Sequence, residues 1–437
     1  MHKYTIMKKE SMVLSLFLLL LVLCLSLKIG LEIALFFGAI LFSFYAVSDG
    51  YSLREVVRML CRGAWKARTV AFLMLVIGML TAMWRASGTI AVIVTALSTC
   101  FRPSVFYLMV FWSNALVSFL IGTSFGTSAT MGVVCMTIAR TMGMSPWITG
   151  GAILSGIFVG DRCSPLSTSA MLIADITGTK LFDNLRHMMR DTVIPFGITS
   201  FIFFLLSMLS HQDRPLRLSI AEVFSREFIL SPICFIPAVL ILIFAFFKVN
   251  IKITMFLSIV AAMGISILVQ RQSIPGLLQA LFYGFRAHDT DVAGMLNGGG
   301  MRSMISVCII VLVSSSYSGI FENTKILVPI QNRMEMLERR IGIFGTTVVC
   351  SVVSTMLACN QTFAAILVQQ IIGKMHTDKT EQMLNLEDSV ILISGLIPWC
   401  IAGSVPLATV EAPLTSMALG IYLYMVPLVR LIRKKEK

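Results

Sequence analysis

Apolar positions along this chain come in long unbroken runs rather than as one-sided stripes or alternating residues. Runs near 11–27, 29–47, 69–84, 103–121, 193–210, 228–247, 251–269, 303–320, 342–359 and 411–430 approach the length of a membrane span, which takes about 20 helical residues. The pattern predicts an all-α polytopic membrane protein with about 10–12 transmembrane helices. The first run, Ser11 to Leu27, follows Lys8 and Lys9 much as a secretory leader would. No small-x-small cleavage site follows it and the next run begins almost at once, so it reads as a retained span.

Five further apolar pieces, 86–100, 130–159, 274–287, 360–373 and 389–408, are too short or too polar to cross alone. An interrupted membrane helix leaves main-chain N–H and C=O groups unpaired, so such pieces belong inside protein or beside a watery cavity. They also come in pairs. Gly63 in "RMLCRGAWKA" aligns with Gly284 in "QALFYGFRA" at an offset of 221, Gly88 with Gly319 at 231, and Thr123 with Asn360 at 237. Asp161 aligns with Asp388 at 227, each followed by a proline, Pro165 and Pro398. The pairing predicts two repeats with discontinuous or re-entrant helices over 51–210 and 271–437, preceded by N-terminal spans over 1–50 and joined by linking spans over 211–270.

Charge adds orientation. The connection 54–68 carries Arg54, Arg58, Arg62, Lys66 and Arg68 against Glu55 alone, whereas 286–302 balances Arg286 and Arg302 with Asp289 and Asp291. By the positive-inside rule the two repeats run in opposite senses, and with the closing "RLIRKKEK" both termini fall on the cytoplasmic side of the cell membrane. Inverted repeats with broken helices outline a secondary transporter whose substrate sits near the bilayer midplane.

The composition, 57% hydrophobic and 13% charged, agrees with this. The net charge of +13 flanks apolar runs instead of gathering in a soluble domain, so it does not point to nucleic acid. Ten scattered cysteines show no C-x-x-C or metal spacing and read as small core residues. No H-E-x-x-H and no glycine loop ending in Lys-Ser/Thr is present, and "HDTD" (His288 to Asp291) is an isolated acidic pair, so no catalytic set and no cofactor is expected. A channel would need no paired interruptions, which favour alternating access.

The most polar sentence lies where it is least expected. "SGIFVGDRCSPLSTSA", Ser155 to Ala170, holds Asp161, Arg162, Pro165 and five hydroxyl side chains. A charged aspartate at the bilayer centre costs about 2.5–3.5 kcal/mol on insertion scales, so Asp161 should face a cavity or a partner, and Arg162 at a helix end is one such partner. Ser164, Ser167, Thr168 and Ser169 offer the oxygens a hard cation prefers, Pro165 frees a carbonyl, and the same carboxylate can hold a proton. "GTSFGTSATMG" (Gly122 to Gly132), with Thr123, Ser124 and Thr127, reads as a hairpin tip or unwound site, or else as hydroxyls bonding within or between helices. Asn360 and Gln361 supply neutral groups at the matching position. Asp388 and Glu387 in "NLEDSV" read either as transport groups or as caps of a helix N-terminus after a polar loop 374–386. Glu411, just before the last span, reads as an interfacial residue.

"SGIFVGDRCSPLS", "DITGTKLFDNLRHMMRDTVIPF" (Asp175 to Phe196), "GTSFGT" and "LEDSVILISGLIPW" (Leu386 to Trp399) together resemble the NhaC-type Na⁺/H⁺ antiporter family, whose relatives include malate/lactate sodium antiporters of the wider ion-transporter superfamily. The resemblance spans about Gly63 to Pro413, and G-D-[KR]-x-S-P-L-S is its most specific element. It implies a cation-coupled antiporter with inverted repeats, an elevator-like or rocking motion and a homodimer. Asp161, Ser164, Pro165, Ser167 and Asp388 carry over directly, Thr168 and Asn360 by position only. The family's first motif continues S-P-L-S-D-T-T-N, where this chain has Thr168, Ser169, Ala170 and Met171; a later T-G-D-Q becomes Ala358-Cys359-Asn360-Gln361. Two acidic positions are thus neutral here.

The leading expectation is a Na⁺/H⁺ antiporter in the lipid bilayer. Asp161 exchanges its proton for Na⁺, with Ser164, Ser167 and Thr168 and the hydroxyls of Thr123, Ser124 and Thr127 as ligands; Asp388, Asn360 and Gln361 are further coupling candidates, and Pro165, Pro398 and Glu387 shape the site. The alternative is a Na⁺-coupled transporter or exchanger of a small carboxylate or amino acid, which the two lost carboxylates favour. Thr168→Asp should raise Na⁺ affinity if that position faces the site.

Overall fold

The computed structural model describes residues 2–27, 31–98, 101–165, 167–210, 220–247, 249–324, 326, 328–375 and 378–435. They are helical nearly throughout; among them the only β-type pairing is an isolated bridge between Phe285 and Gly298. The N-terminal pair is α1 (His2–Ser26) and α2 (Leu31–Ser48). Next come α3 (Leu53–Lys66), α4 (Arg68–Ala86), α5 (Thr89–Ser98), α6 (Phe106–Ile121), α7 (Ser124–Thr127), α8 (Val133–Thr141), α9 (Pro146–Cys163), α10 (Thr168–Thr177) and α11 (Leu181–Leu209). The short α12 (Ile220–Ser225) leads to α13 (Ile236–Phe246) and α14 (Ile251–Leu268). The remainder is α15 (Ile274–Tyr283), α16 (Thr290–Leu296), α17 (Ile305–Ser316), α18 (Ser318–Asn323), α19 (Val328–Ala358), α20 (Gln361–Ile372), α21 (Lys379–Glu387), α22 (Val390–Ile393), α23 (Ile401–Thr409) and α24 (Ile421–Lys435).

The chain is a polytopic membrane protein, but its helices are more broken than 10–12 full spans would require. Among the described residues six helices are long and apolar enough to cross alone: Leu53–Ala86, Pro103–Ile121, Leu181–Leu209, Met301–Asn323, Arg333–Ala358 and Leu414–Arg433. A seventh span counts if Lys379–Leu396 and Ile401–Thr409, bent by 51°, are taken together. Six apolar helices of 10–17 residues accompany them. The reason is local: helices that the hydropathy pattern would run together are cut by prolines, by caps and by left-handed residues.

Two of these cuts share one form. α9 ends at Ser164, whose backbone is extended (φ −80°, ψ 139°) because Pro165 follows, and α10 restarts from Ser167, whose hydroxyl accepts the Ala170 N–H at 3.2 Å. Ile397 is likewise extended before Pro398 (φ −89°, ψ 119°), and α23 restarts after Cys400. The two four-residue breaks, 164–167 and 397–400, lie 233 positions apart, and each contains a proline at its second position. The carboxylates do not correspond: at that offset Asp161 matches Ser394, not Asp388.

A second pair of cuts also matches. α6 ends on Gly122 (φ 75°), a left-handed turn that glycine adopts without strain, and Thr123 (φ −142°, ψ 135°) caps the next helix through the Gly126 N–H at 2.8 Å. α19 ends on Cys359 (φ 55°), and Asn360 (φ −143°, ψ 130°) caps α20 through Thr362 N–H at 2.9 Å. Beyond Thr123 the expected hairpin tip is helical, with a π-turn over Ser128–Gly132. Its hydroxyls bond back to their own helix, Thr127 to Thr123 O at 2.9 Å and Thr130 to Gly126 O at 2.9 Å, so these side chains are satisfied within the helix.

Packing is centred on α6 and α9, the most extensive helix pair. A side chain at Gly156 or Gly160 would run into the main chain of Phe111 or Ser118 on α6, so small residues set this close approach. One apolar cluster gathers around α4, α6, α8 and α9, and a second around α1, α2, α19 and α20. The chain passes from one to the other between Val159 and Cys163, with Asp161 at the crossing.

Candidate ion site

Four helix interruptions meet around Asp161. The Ser164 hydroxyl donates to Phe119 O near the end of α6 at 2.7 Å, and the Ile401 N–H donates to Cys359 O at 3.1 Å, tying each proline break to a capped break. Asp161, on the last turn of α9, is 3% exposed. Its Oδ2 accepts from Gln361 Nε2 at 3.1 Å and from Ser169 Oγ at 3.2 Å, and the Ser124 main-chain N–H also donates to the carboxylate. Gln361 is pinned in turn, its Nε2 donating to Ile391 O at 3.0 Å and its Oε1 accepting from Ser169 at 3.4 Å. No ion pair involves Asp161 among the described residues. It is a buried acid surrounded by neutral donors, with two further oxygens, those of Ser169 and Gln361, within reach of anything it binds.

Its neighbour Arg162 faces the other way. Fully buried, it pairs with Asp388 Oδ1 and donates to Thr192 Oγ1, to Met188 O at 3.3 Å and to Tyr422 OH at 3.4 Å. Asp388 Oδ2 takes a second guanidinium, Arg430 Nη1, at 2.6 Å. Arg430 also reaches Asn385 Oδ1 at 2.9 Å and Asp191 at 3.5 Å, and Asp191 meets Arg433 at 3.0 Å. This ladder runs from the interior to the exposed end of α24.

The family model described as "Na+/H+ antiporter family" matches residues 5–175 and 156–431. The chain belongs to the Na⁺/H⁺ antiporter family. Among similar proteins, the "Na(+)/H(+) antiporter NhaC" of Bacillus subtilis (strain 168) is 24% identical over 92% of this chain and 91% of its own length. The "Malate-2H(+)/Na(+)-lactate antiporter" of the same organism is 24% identical over 85% and 82%. The "Arginine/ornithine antiporter ArcD" of Halobacterium salinarum is 24% identical over 84% and 78%. All three names describe transporters.

Within this antiporter-family chain the candidate residues separate into groups. Asp161 and Gln361 touch directly, and Ser124 contributes its main chain. Ser167 donates to the Asp161 main-chain oxygen and caps α10, so it holds the break rather than the carboxylate. Ser164 is bonded to α6, while Thr123 and Asn360 spend their side chains as caps and Thr127 bonds within its helix. Pro165 and Pro398 end their helices. Thr168 is exposed as the first residue of α10; one step along the helix, Ser169 occupies the place expected of it. Thr168→Asp therefore carries no expectation of tighter Na⁺ binding.

Asp388 does not cap a helix N-terminus. The polar stretch expected to be a loop is α21, capped by Asp378 through the Thr380 N–H at 2.9 Å, and Asp388 stands at its C-terminal end. Glu387 is fully buried with both carboxylate oxygens lacking a hydrogen bond among the described residues. Glu411, one-third exposed, bridges Arg85 and Arg140 at 3.0 Å each. The residues that sequence reasoning missed are Arg430, Asn385, Thr192 and Tyr422. A buried arginine announces that some anion must face it, but not which one.

Proposed function

We propose that the chain exchanges Na⁺ for H⁺ at Asp161. The observation that carries this reading is the buried carboxylate held by Ser169, Gln361 and the Ser124 main chain, with no ion pair among the described residues, where four helix breaks converge. An uncompensated charge in a low-dielectric interior calls for a counter-ion, and either a proton or a dehydrated Na⁺ serves. Both cannot occupy one carboxylate, and that competition couples the two fluxes. The Ser169 hydroxyl and the Gln361 carbonyl oxygen complete an oxygen set suited to a hard cation. Asp388 belongs to the frame in this reading, because two guanidinium groups already cancel its charge. Glu387 remains a second acid on which a proton could reside.

The two matched kinds of break support the internal-repeat reading, and the basic run on α3 against the balanced 286–302 supports opposite insertion with cytoplasmic termini. A second substrate reading has one observation in its favour. Next to Gln361, a cavity of about 220 Å³ is lined by Asn360, Thr362, Ser315 and Ser318 and by the Lys66–Glu322 ion pair at 2.6 Å. It offers both charges and several hydroxyls to a small organic ion, as exchangers of malate/lactate or arginine/ornithine among the relatives would require.

Everted vesicles carrying an internal pH dye distinguish the two. Addition of NaCl alone should alkalinise the interior of acid-loaded vesicles. If pH holds steady while a labelled carboxylate or amino acid enters only with Na⁺, simple Na⁺/H⁺ exchange is ruled out.

A further inference from the structure

Far from Asp161 in sequence, a cavity of about 680 Å³ opens where α14 gives way to α15. Glu227, Gln270, Arg271, Gln272, Gln279, Tyr283, Arg286 and His288 supply its polar lining. Its walls are built. Gln270 donates to Ser87 O at 3.2 Å and to Ile229 O at 3.0 Å while accepting the Ile229 N–H at 3.0 Å, and Gln272 donates to Ala86 O at 3.1 Å. These bonds fasten the turn after α14 to the turn after α4. Arg271 is held in the left-handed region (φ 54°), a conformation non-glycine residues adopt only when their surroundings impose it.

Charge in this cavity is unbalanced. The Glu227 carboxylate is engaged by the main-chain N–H groups of His288 at 3.1 Å and Asp289 at 3.0 Å. Arg271 and Arg286 form no ion pair among the described residues. Both flanks are apolar and open: Ile267 and Leu268 at the end of α14, Leu268 being 82% exposed, and Ile274, Leu278 and Phe282 on one outer face of α15 at four-residue spacing. A polar basin with two guanidinium groups that form no ion pair among the described residues, set between exposed apolar surfaces, fits an amphipathic anion.

We propose that this cavity binds the phosphodiester headgroup of an anionic phospholipid, with its acyl chains lying along α14 and α15. Arg271 and Arg286 meet the phosphate as charge-assisted donors, and Gln279 and Tyr283 bond the rest of the headgroup. A free phosphate would use the arginines but leave the apolar flanks uncovered, which is why a lipid is the better match. The site is independent of the ion assignment at Asp161.

Native mass spectrometry and thermal unfolding of the purified full chain test this, with phosphatidylglycerol, phosphatidylcholine or inorganic phosphate added. We expect one phosphatidylglycerol to be retained and to raise the unfolding temperature, with phosphatidylcholine and millimolar phosphate giving little of either. Arg271→Gln with Arg286→Gln should weaken phosphatidylglycerol binding about thirtyfold, since each interfacial arginine contributes about fivefold; Arg54→Gln, an exposed arginine elsewhere, should leave it unchanged. Equal retention of both lipids by the unmodified protein overturns the proposal without recourse to any variant. So does an undiminished preference in the double variant, or an equal effect from phosphate alone, which would mark a site for soluble anions.

Discussion

Among the described residues two aspartates are buried, Asp161 and Asp388, and their surroundings are opposite. Asp388 lies between Arg162 and Arg430, and its negative charge is cancelled twice over. Asp161, next in sequence to one of those arginines, is met among the described residues by a serine hydroxyl, a glutamine amide and a main-chain N–H. In the proposed exchange, a passing cation would gain little at the first and much more at the second. Sequence neighbourhood is a poor guide here: Arg162 points away from Asp161 and is neutralised by an acid 226 residues further along.

The largest effect should come from Asp161→Asn, which keeps the shape and an acceptor oxygen for Gln361 and Ser169 but removes the charge. Na⁺-driven pH changes in everted vesicles should vanish while the amount of folded protein in the membrane stays near normal. Retained exchange would transfer the coupling role elsewhere, with Glu387 the next group to test.

Asp388→Asn should act on stability instead. Removing one partner of a buried ion pair leaves charge uncompensated and costs about 3–5 kcal/mol. The variant should unfold at a markedly lower temperature, and exchange per folded molecule should persist. Replacing Arg162 by Met together with Asp388 by Leu should recover part of the loss, because the fully buried guanidinium is removed with its acid while Arg430 keeps Asp191 as a partner. If Asp388→Asn proves fully stable and inactive, the contrast drawn between the two acids fails.

Smaller changes sharpen the Asp161 side. Gln361→Ala removes a donor to a charged group, an interaction of about 1.5–3 kcal/mol, and should weaken apparent Na⁺ affinity about tenfold or more in titrations of exchange rate. Competition for one carboxylate also predicts that the sodium concentration for half-maximal exchange rises up to about tenfold per unit fall in pH on the acid side, because each bound Na⁺ displaces one proton. A pH-independent value would separate the two sites. Least of all, Ser169→Ala should lower affinity by a few-fold, whereas Thr168→Ala, at the exposed position beside it, should stay within about 0.5 kcal/mol of the parent in both stability and binding.

Much of this was written into short stretches of the chain. The helical membrane class follows from apolar run length, and the breaks at 164–167 and 397–400 follow from Pro165 and Pro398, whose effect on the preceding residue is purely local. Thr123 and Asn360 cap helices for the same kind of reason. The helix 379–387 was also legible, through Asp378 followed three residues later by Glu381, yet its polarity suggested a loop. Other features depended on distant partners. Near the start of a helix one residue turns the side chain by about 100°, so Thr168 and Ser169 could be told apart only once α10 was seated against α20. The choice of Asp388 by Arg162, and the part Arg430 plays beyond its share in a basic tail, are matters of which helices end up side by side.

The glycine seam of α9 has a mechanical corollary. Because Gly156 and Gly160 let α9 sink against the backbone of α6, sliding or rolling one rod past the other would break that close fit. Asp161 rides on one and the Gly122–Thr123 bend, with Ser124 just beyond, on the other. Any stroke that turns the carboxylate from one side of the bilayer to the other must therefore carry both helices as a single block, with its moving joints in the loops and partners around that block.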